Sequence, residues 1–138
     1  MFSLEVFKIF PDSKFFRSPL FPGVKFHSPS TFYLDPPVNI EMGEGTVVEP
    51  CVKLTGRIKI GKNCRIYFGF SAHNFECGDN CELGMPAQIT DVKTGDNCRI
   101  GKFAELKRSV LGNDVNCIHH CYIGDAEIGN GVNIGAGT

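Results

Sequence analysis

The sequence of this 138-residue chain predicts an all-β protein built as a parallel β-helix, and three observations support that prediction. Glycine recurs every 17 residues in similar surroundings, at Gly61, Gly78, Gly95, Gly112 and Gly129. Within each such stretch an apolar residue recurs at intervals of six, six and five. Asn, Asp or Gly stands two residues after each of those glycines, where a tight corner needs positive φ. Three short strands joined by such corners form one triangular coil, and coils stack by parallel pairing.

The recurring apolar residues are predicted to point into the prism and to stack on their counterparts in the next coil. Glycine follows ten of these seventeen residues, which makes a chance pattern a poor explanation. The pattern runs from residue 42 to residue 138, which corresponds to about five and a half coils. The predicted interior residues are Met42, Val48, Leu54, Ile60, Ile66, Ala72, Cys77, Leu83, Ile89, Thr94, Ile100, Leu106, Leu111, Cys117, Ile123, Ile128 and Ile134.

The seven cysteines follow the same repeat. Two columns of small residues are predicted inside the corners, and they consist of Cys64, Cys81, Cys98, Val115 and Val132 and of Ala87, Ala104, Cys121 and Thr138. These columns and the apolar pattern place most of the cysteines inside, and only Cys51 is unexplained. An odd count and the absence of C-x2-C pairs argue against a disulfide framework and a structural zinc site. Most cysteines are therefore interpreted as small buried apolar residues, and no metal site is predicted.

Residues 1–41 differ in composition from the β-helix domain predicted over residues 42–138. The first 37 residues hold eight of the twelve Phe and six of the eight Pro, but only one glycine, Gly23. The prolines exclude a long helix or a central strand. The segment is predicted to be an irregular cap that lays its aromatic residues over one end or flank of the β-helix. An aromatic arm that binds a partner is the alternative. The phenylalanines concerned are Phe2, Phe7, Phe10, Phe15, Phe16, Phe21, Phe26 and Phe32.

Composition and charge exclude several classes of function. A formal net charge of −1 removes the electrostatic case for nucleic acid as the main partner. No apolar run approaches the ~20 residues that span a bilayer, so no membrane association is expected. The run Met1–Lys8 mixes acidic and basic residues and does not read as a secretory signal. A soluble, cytoplasmic domain is expected.

The residues that suit chemistry lie at corners and on outward positions, because inward positions serve packing. His119 and His120 share one predicted corner, and Lys107 takes a place where glycine is commonest. In register with Lys107, Thr90 lies one coil earlier and His73 two coils earlier. A groove that carries histidine, lysine, Tyr122 and Asn133 would suit an anionic, hydroxylated ligand. The alternative is that each is an ordinary polar surface residue.

Two runs near the C-terminal end carry a resemblance to a known family. They are His119-His-Cys-Tyr122-Ile-Gly-Asp-Ala-Glu-Ile-Gly129 and Val132-Asn-Ile-Gly-Ala-Gly-Thr138, preceded by Gly101-Lys-Phe-Ala-Glu-Leu-Lys107. Together they resemble the acetyltransferase domain of bifunctional N-acetylglucosamine-1-phosphate uridyltransferase / glucosamine-1-phosphate N-acetyltransferase. The resemblance implies a left-handed β-helix that acts as a homotrimer and binds acetyl-CoA between neighbouring prisms. It also implies acetyl transfer to an amino-sugar phosphate, in the synthesis of UDP-N-acetylglucosamine for peptidoglycan and the cell wall.

Carried over position by position, the resemblance assigns roles to five residues. His119 matches the general base, Lys107 contacts the sugar phosphate, and Ala136 lies beside acetyl-CoA. Tyr122 and Asn133 match further sugar-phosphate contacts. These residue types suit the reaction, because a histidine with a pKa near neutrality accepts the proton of the sugar ammonium. Lysine supplies a point charge for the phosphate.

Three departures from the family pattern are visible. The nucleotide-binding uridyltransferase half is absent from these 138 residues. Thr90 stands where the family has an arginine one coil before the lysine, which is expected to weaken phosphate binding. The sequence ends at Thr138 in the middle of a repeat, so it is expected to be an incomplete β-helix domain.

Two other functions remain open at this point. One is a non-catalytic scaffold or relic that retains family residues, which the Thr90 replacement favours. The other is a γ-type carbonic anhydrase, because Ile118-His-His-Cys121 is similar to a run in that family. That family needs an H-x4-H pair among its metal ligands, and no such pair occurs in this sequence.

Overall fold

The computed structural model describes residues 8–9, 16–18, 20–34, 39–84 and 87–138. It is an all-β solenoid of about six turns with parallel strands, matching a left-handed β-helix, so the predicted fold is confirmed. Its one described helical element is a short 3₁₀ turn at Pro29–Thr31. Among the residues described, no helix is long and apolar enough to cross a membrane.

Seventeen strands occur in the described residues. They are β1 (Lys8–Ile9), β2 (Phe16–Arg17), β3 (Lys25–Phe26), β4 (Tyr33–Leu34), β5 (Asn39–Met42), β6 (Val47–Val48), β7 (Lys53–Ile60), β8 (Arg65–Ile66), β9 (Ser71–Glu76), β10 (Glu82–Leu83), β11 (Ala87–Thr94), β12 (Arg99–Ile100), β13 (Ala104–Leu111), β14 (Asn116–Cys117), β15 (Tyr122–Gly124), β16 (Glu127–Ile128) and β17 (Asn133–Ile134).

Stacked coils give the prism three faces. The first face is the parallel run β3-β6-β8-β10-β12-β14-β17. The long strands β7, β9, β11 and β13 each bend at one residue of positive φ, so the second sheet wraps around two faces. The second face carries their first halves with β4 and β15, and the third face carries their second halves with β5 and β16. Every coil therefore presents the same positions to the same face.

The corner between the third and first faces, called here the asparagine corner, has the predicted backbone. Its residues at positions 63, 80, 97 and 114 have φ between 55° and 58°, and Gly131 has φ of 70°. Asn and Asp tolerate this left-handed conformation better than most residues with a Cβ. At the position before each of these residues, the backbone N–H donates to the side-chain oxygen of the equivalent residue in the next coil, at 2.8 Å. These bonds form a ladder through Lys62, Asp79, Asp96, Asn113 and Asn130.

The predicted interior residues form the core, which confirms the 17-residue pattern. All of them are buried except Ile128 and Ile134, which are half-buried in the last coil and pack against the core. The small-residue columns are also inside, from Cys64 to Val115 in one and from Ala87 to Cys121 in the other, but in the last coil Val132 is half-buried and Thr138, predicted to be inside, is exposed. Close stacking of identical positions gives each buried side chain apolar neighbours above and below.

The cysteines follow this pattern with one correction. Six of the seven are buried as predicted for inward positions, but Cys117 and Cys121 are joined by a disulfide and are not free thiols. Both side chains point inward on either side of a single corner, so they converge. Cys51, which the repeat left unexplained, is exposed at another corner, and its backbone N–H donates to the Thr31 hydroxyl at 2.9 Å.

Part of the N-terminal segment adds a coil that the hexapeptide pattern does not mark. Strand β3 pairs in parallel with β6, and β4 pairs in parallel with β7, while β1 and β2 continue the first sheet in antiparallel fashion. Phe21, Phe26 and Phe32 are buried here, with ring centroids 5.9 Å and 5.0 Å apart along the series. Large rings thus fill the end of the prism. Phe2, Phe7, Phe10 and Phe15 lie outside the described residues.

Candidate active site

Most of the predicted site residues lie around the corner between the first and second faces, called here the histidine corner. Lys107 lies at the other end of the second face, directly before the corner residue Arg108. In three successive coils it is formed by residues 102–103, 119–120 and 136–137. Backbone bonds hold these turns in register, because the N–H of His120 donates to Lys102 O at 2.9 Å and that of Gly137 donates to His120 O at 2.7 Å. Ala136 therefore lies one coil beyond His119, in the same column.

The structure distinguishes the two adjacent histidines. His120 has a positive φ of 38°, and its ring stacks on Phe103 of the preceding coil with centroids 5.0 Å apart and planes 20° apart. Phe103 also has positive φ, at 63°. Left-handed backbone at residues other than Gly, Asn or Asp is strained and is concentrated at functional sites. The ring of His119 is exposed and lines a groove instead.

That groove has a volume of about 430 Å³ and runs along the first face below the histidine corner. Its polar lining consists of Tyr67, Glu82, Arg99, Lys102 and His119. Arg99 Nε lies 3.0 Å from Glu82 Oε2, so these two side chains form an ion pair. Lys102 and His119 are the other two basic side chains of the lining, and both lie at the end next to the histidine corner. Glycine forms part of the wall, because a Cβ at Gly84 would lie 2.7 Å from the Gly101 Cα. The groove therefore offers a narrow surface for an extended ligand beside His119.

Lys107 and Tyr122 lie together on the second face. Lys107 is paired in register with Gly124, and Glu105 is paired with Tyr122 on the same two strands, β13 and β15. The Tyr122 side chain leans over Gly124, since a Cβ there would be 2.7 Å from the Tyr122 hydroxyl. The phenol therefore extends along the strand towards the ammonium group of Lys107. The Lys107 Nζ lies 2.8 Å from Glu105 Oε1, and this carboxylate raises the pKa of Lys107.

Arg108 is a functional candidate that the sequence analysis did not single out. It follows Lys107 at a corner with φ of 46°, and its guanidinium binds the Asp125 carboxylate in a bidentate manner, with Nη2 to Oδ2 at 2.7 Å. The pair raises the pKa of Arg108 and lowers that of Asp125. A smaller electrostatic interaction with Tyr122 also raises the pKa of both Lys107 and Arg108. The signal was available, because Asp125 lies 17 residues after Arg108.

The remaining predicted residues occupy the expected register. Thr90 pairs with Lys107 and His73 pairs with Thr90, which confirms the one-coil and two-coil offsets. His73 is engaged by the Thr55 hydroxyl at 2.8 Å. Asn133 is exposed on β17, paired with Asn116 on the first face. One prism therefore presents an arc around the histidine corner, from Asn133 through His119 and Ala136 to the second face.

Fold and site together define a hexapeptide-repeat β-helix with a histidine and a lysine–tyrosine pair on either side of one corner. No protein-family model matches the chain. Curated relatives do match it. It is 37% identical over 134 residues to the bifunctional protein GlmU of Thermodesulfovibrio yellowstonii, 34% identical over 134 residues to that of Koribacter versatilis, and 33% identical over 133 residues to that of Listeria monocytogenes.

Each alignment covers 84% of this chain, and the chain spans only 28–29% of the length of these relatives. The resemblance to bifunctional GlmU proteins that the C-terminal motifs predicted is therefore confirmed. The resemblance applies to the segment of those proteins that the alignments cover.

Proposed function

We propose that this chain contributes an acetyl-transfer site that moves an acetyl group from acetyl-CoA to the amine of glucosamine 1-phosphate. Such a reaction supplies an intermediate for UDP-N-acetylglucosamine and hence for cell-wall synthesis in the cytoplasm. The observation that carries the proposal is the histidine corner, where His119 faces a groove while Lys107 and Tyr122 lie on the adjoining face. Similarity to bifunctional GlmU proteins supports it.

In the proposed reaction His119 is the general base. It accepts a proton from the sugar ammonium, and the freed amine attacks the thioester carbonyl. A C–N bond forms, the C–S bond breaks, and the departing thiolate is protonated to give free CoA. Stacking on Phe103 engages His120, so His119 is the histidine left to meet a substrate. Ala136, one coil beyond, presents a small side chain where the thioester would pass.

The phosphate of the sugar is proposed to bind Lys107 and Tyr122, with Asn133 contacting the sugar from the first face. Lys107 is held by Glu105 at 2.8 Å, so an incoming phosphate must compete with that carboxylate. Thr90 offers a hydroxyl and no charge in the coil before Lys107. Arg108 is the nearest candidate for a second cation, although its guanidinium is engaged by Asp125.

The active assembly is proposed to be a homotrimer in which acetyl-CoA binds between prisms. Large apolar side chains lie exposed on the outside of the described coils, among them Phe68 at 47%, Phe103 at 61% and Val110 at 52%. Packing against a second prism would remove this surface from water. Sedimentation of the purified protein tests the assembly.

Release of CoA thiol in the presence of acetyl-CoA and glucosamine 1-phosphate tests the reaction. Replacing His119 by Ala is expected to lower the turnover rate about 10²–10⁴-fold, since this is the usual contribution of a general base. His120→Asn is the matched control, because Asn tolerates the left-handed backbone at that corner. It is expected to retain turnover. Equal turnover in His119→Ala and the unmodified chain would exclude His119 as the base.

A non-catalytic scaffold is the second candidate. It is favoured by Thr90, which stands one coil before Lys107 and carries no positive charge, and by the Lys107–Glu105 ion pair. It predicts neither thiol release nor binding of glucosamine 1-phosphate at millimolar concentration. Calorimetric titration of the sugar phosphate distinguishes the two. Saturable binding that is lost in Lys107→Ala supports the enzyme, and no binding supports the scaffold.

A further inference from the structure

Three cysteine sulfurs meet inside the β-helix, behind the asparagine corner and away from the candidate active site. The Sγ atoms of Cys64, Cys77 and Cys81 all lie within 4.8 Å of one another. The three side chains are buried, with 1%, 5% and 0% of their surface exposed. Cys64 comes from one coil, and the other two come from the next coil. The sequence analysis predicted no metal site, because its search for C-x2-C pairs does not detect thiols contributed by two coils.

The spacing of these sulfurs is close to that of a metal site. Zinc binds thiolate sulfur at about 2.3 Å, so sulfurs sharing one ion lie about 3.8–4.0 Å apart. A triangle with sides of at most 4.8 Å reaches that size when each sulfur moves by less than about 1 Å, within the reach of a cysteine χ1 adjustment. Three protein ligands is also the number that zinc takes at sites with a fourth position open.

Packing does not require thiols at these positions. In other coils the column of Cys64 and Cys81 is occupied by Val115 and Val132, and the column of Cys77 is occupied by Ile60, Leu111 and Ile128.

One member of the cluster borders a groove on the outside of the β-helix. Cys77 lines a groove of about 340 Å³ on the third face, together with Gly61, Gly78 and Thr94. Lys59 and Lys93 border the same groove, with Glu76 and Asp79. A divalent ion bound by three thiolates carries a net charge of −1, and the groove beside it is neutral overall, because Glu76 and Asp79 match its two lysines and Lys93 Nζ lies 3.0 Å from Glu76 Oε2.

We propose that Cys64, Cys77 and Cys81 form a zinc-binding site inside the β-helix. On binding, one Zn²⁺ replaces three thiol protons, which are released to solvent, and no oxidation takes place. The ion would link two adjacent coils and stabilise the folded chain, since a metal that binds only the folded state raises its stability. This inference does not depend on the proposed acetyl transfer, because the cluster lies at another corner.

Titration of the reduced chain with Cd²⁺ under anaerobic conditions tests the site, because cadmium substitutes for zinc and its thiolate complexes absorb in the ultraviolet. One equivalent of Cd²⁺ is expected to bind with the absorption of three thiolates and the release of about three protons. Zn²⁺ added to the metal-free reduced chain is expected to bind the same site and to raise the melting temperature. A folded, reduced chain that takes up neither ion would overturn the proposal.

Valine replacements provide the variants, and at position 64 the valine copies Val115 of a later coil. Cys77→Val and Cys64→Val are expected to weaken Cd²⁺ binding at least about 100-fold, since even an outer-shell change costs about 10–100-fold. Cys98→Val alters the next cysteine of the same column and is expected to retain one equivalent of Cd²⁺. Circular dichroism checks that each variant is folded.

The reduced Cys117 and Cys121 thiols are the main competing site. The double variant Cys117→Ile/Cys121→Ala, which copies Ile100 and Ala104 one coil earlier, is expected to bind Cd²⁺ as the unmodified chain does. Loss of binding in this variant, together with unchanged binding in Cys77→Val, would assign the metal to that pair and refute the proposed site.

Discussion

The asparagine corner and the histidine corner both turn the chain through one residue of positive φ, but they use different residues. The asparagine corner has Asn63, Asn80, Asn97 and Asp114, which tolerate that backbone, and a ladder of side-chain bonds joins its coils. The histidine corner has Phe103 and His120, which tolerate it poorly, and their rings stack instead. Proteins depart from local preference mainly where function requires it, so the comparison separates a structural corner from a candidate catalytic one.

The largest effect on this comparison is expected from a change at the asparagine corner. Asn97→Val places a β-branched residue at φ of 57°, which is expected to cost about 1–3 kcal/mol in the free energy of unfolding. Urea denaturation measures the loss. Asn97→Gly, which copies Gly131 two coils later, is the control and is expected to stay close to the unmodified chain. Equal stability of the two variants would show that this backbone is not strained.

A smaller effect is expected on the second face, at the ion pair that restrains Lys107. Glu105→Gln removes the carboxylate 2.8 Å from the ammonium group while keeping its shape. If Lys107 binds the sugar phosphate, the affinity for glucosamine 1-phosphate is expected to rise about tenfold or less, in line with the modest energy of an exposed ion pair. Calorimetry measures it. Weaker binding would indicate that Glu105 itself contacts the sugar.

Two opposing effects on stability are expected from one substitution at His120. His120→Gly relieves about 1–2 kcal/mol of left-handed strain and removes a ring stack worth about 0.5–1.5 kcal/mol. Stability is therefore expected to change by less than about 1.5 kcal/mol in either direction, which thermal unfolding measures. A much larger loss would mean that the stacked rings hold the corner together.

The smallest effect concerns the exposed Arg108–Asp125 pair on the second and third faces. The guanidinium lowers the pKa of Asp125, so any stability from this pair is present above the ordinary aspartate pKa and is lost as pH falls through the lowered value. Arg108→Gln is expected to return the Asp125 pKa towards its usual range. An NMR titration of the carboxyl carbon follows this. An unchanged titration would contradict the ion pair.

Much of the fold was predictable because a β-helix repeats one short pattern. A residue's place in the 17-residue period specified whether Ile100 points inward and whether Asn97 turns a corner, since each coil must pair with identical geometry. The N-terminal coil was not predictable in this way. There Phe26 and Phe32 are the buried residues, and their rings pack on one another in place of the smaller residues of the repeat.

The candidate site was also predictable only where it follows the 17-residue period. The register of Thr90 with Lys107 could be read from spacing, and the structure confirms it. The Arg108–Asp125 pair could also have been found by applying the same period to charges. The roles given to His119, Lys107, Tyr122, Asn133 and Ala136 came from the resemblance and stay proposals.

By itself, the sequence determined the parallel β-helix, its interior residues and its asparagine corners, because these depend on backbone pairing that repeats with the period. Only the tertiary structure decided which side chains of different coils meet. It brought His120 onto Phe103 and so left His119 to the groove. It also brought Cys64 against Cys77 and Cys81. The physical reason is that the period specifies the column and direction of each side chain, whereas contact depends on rotamer and packing across coils.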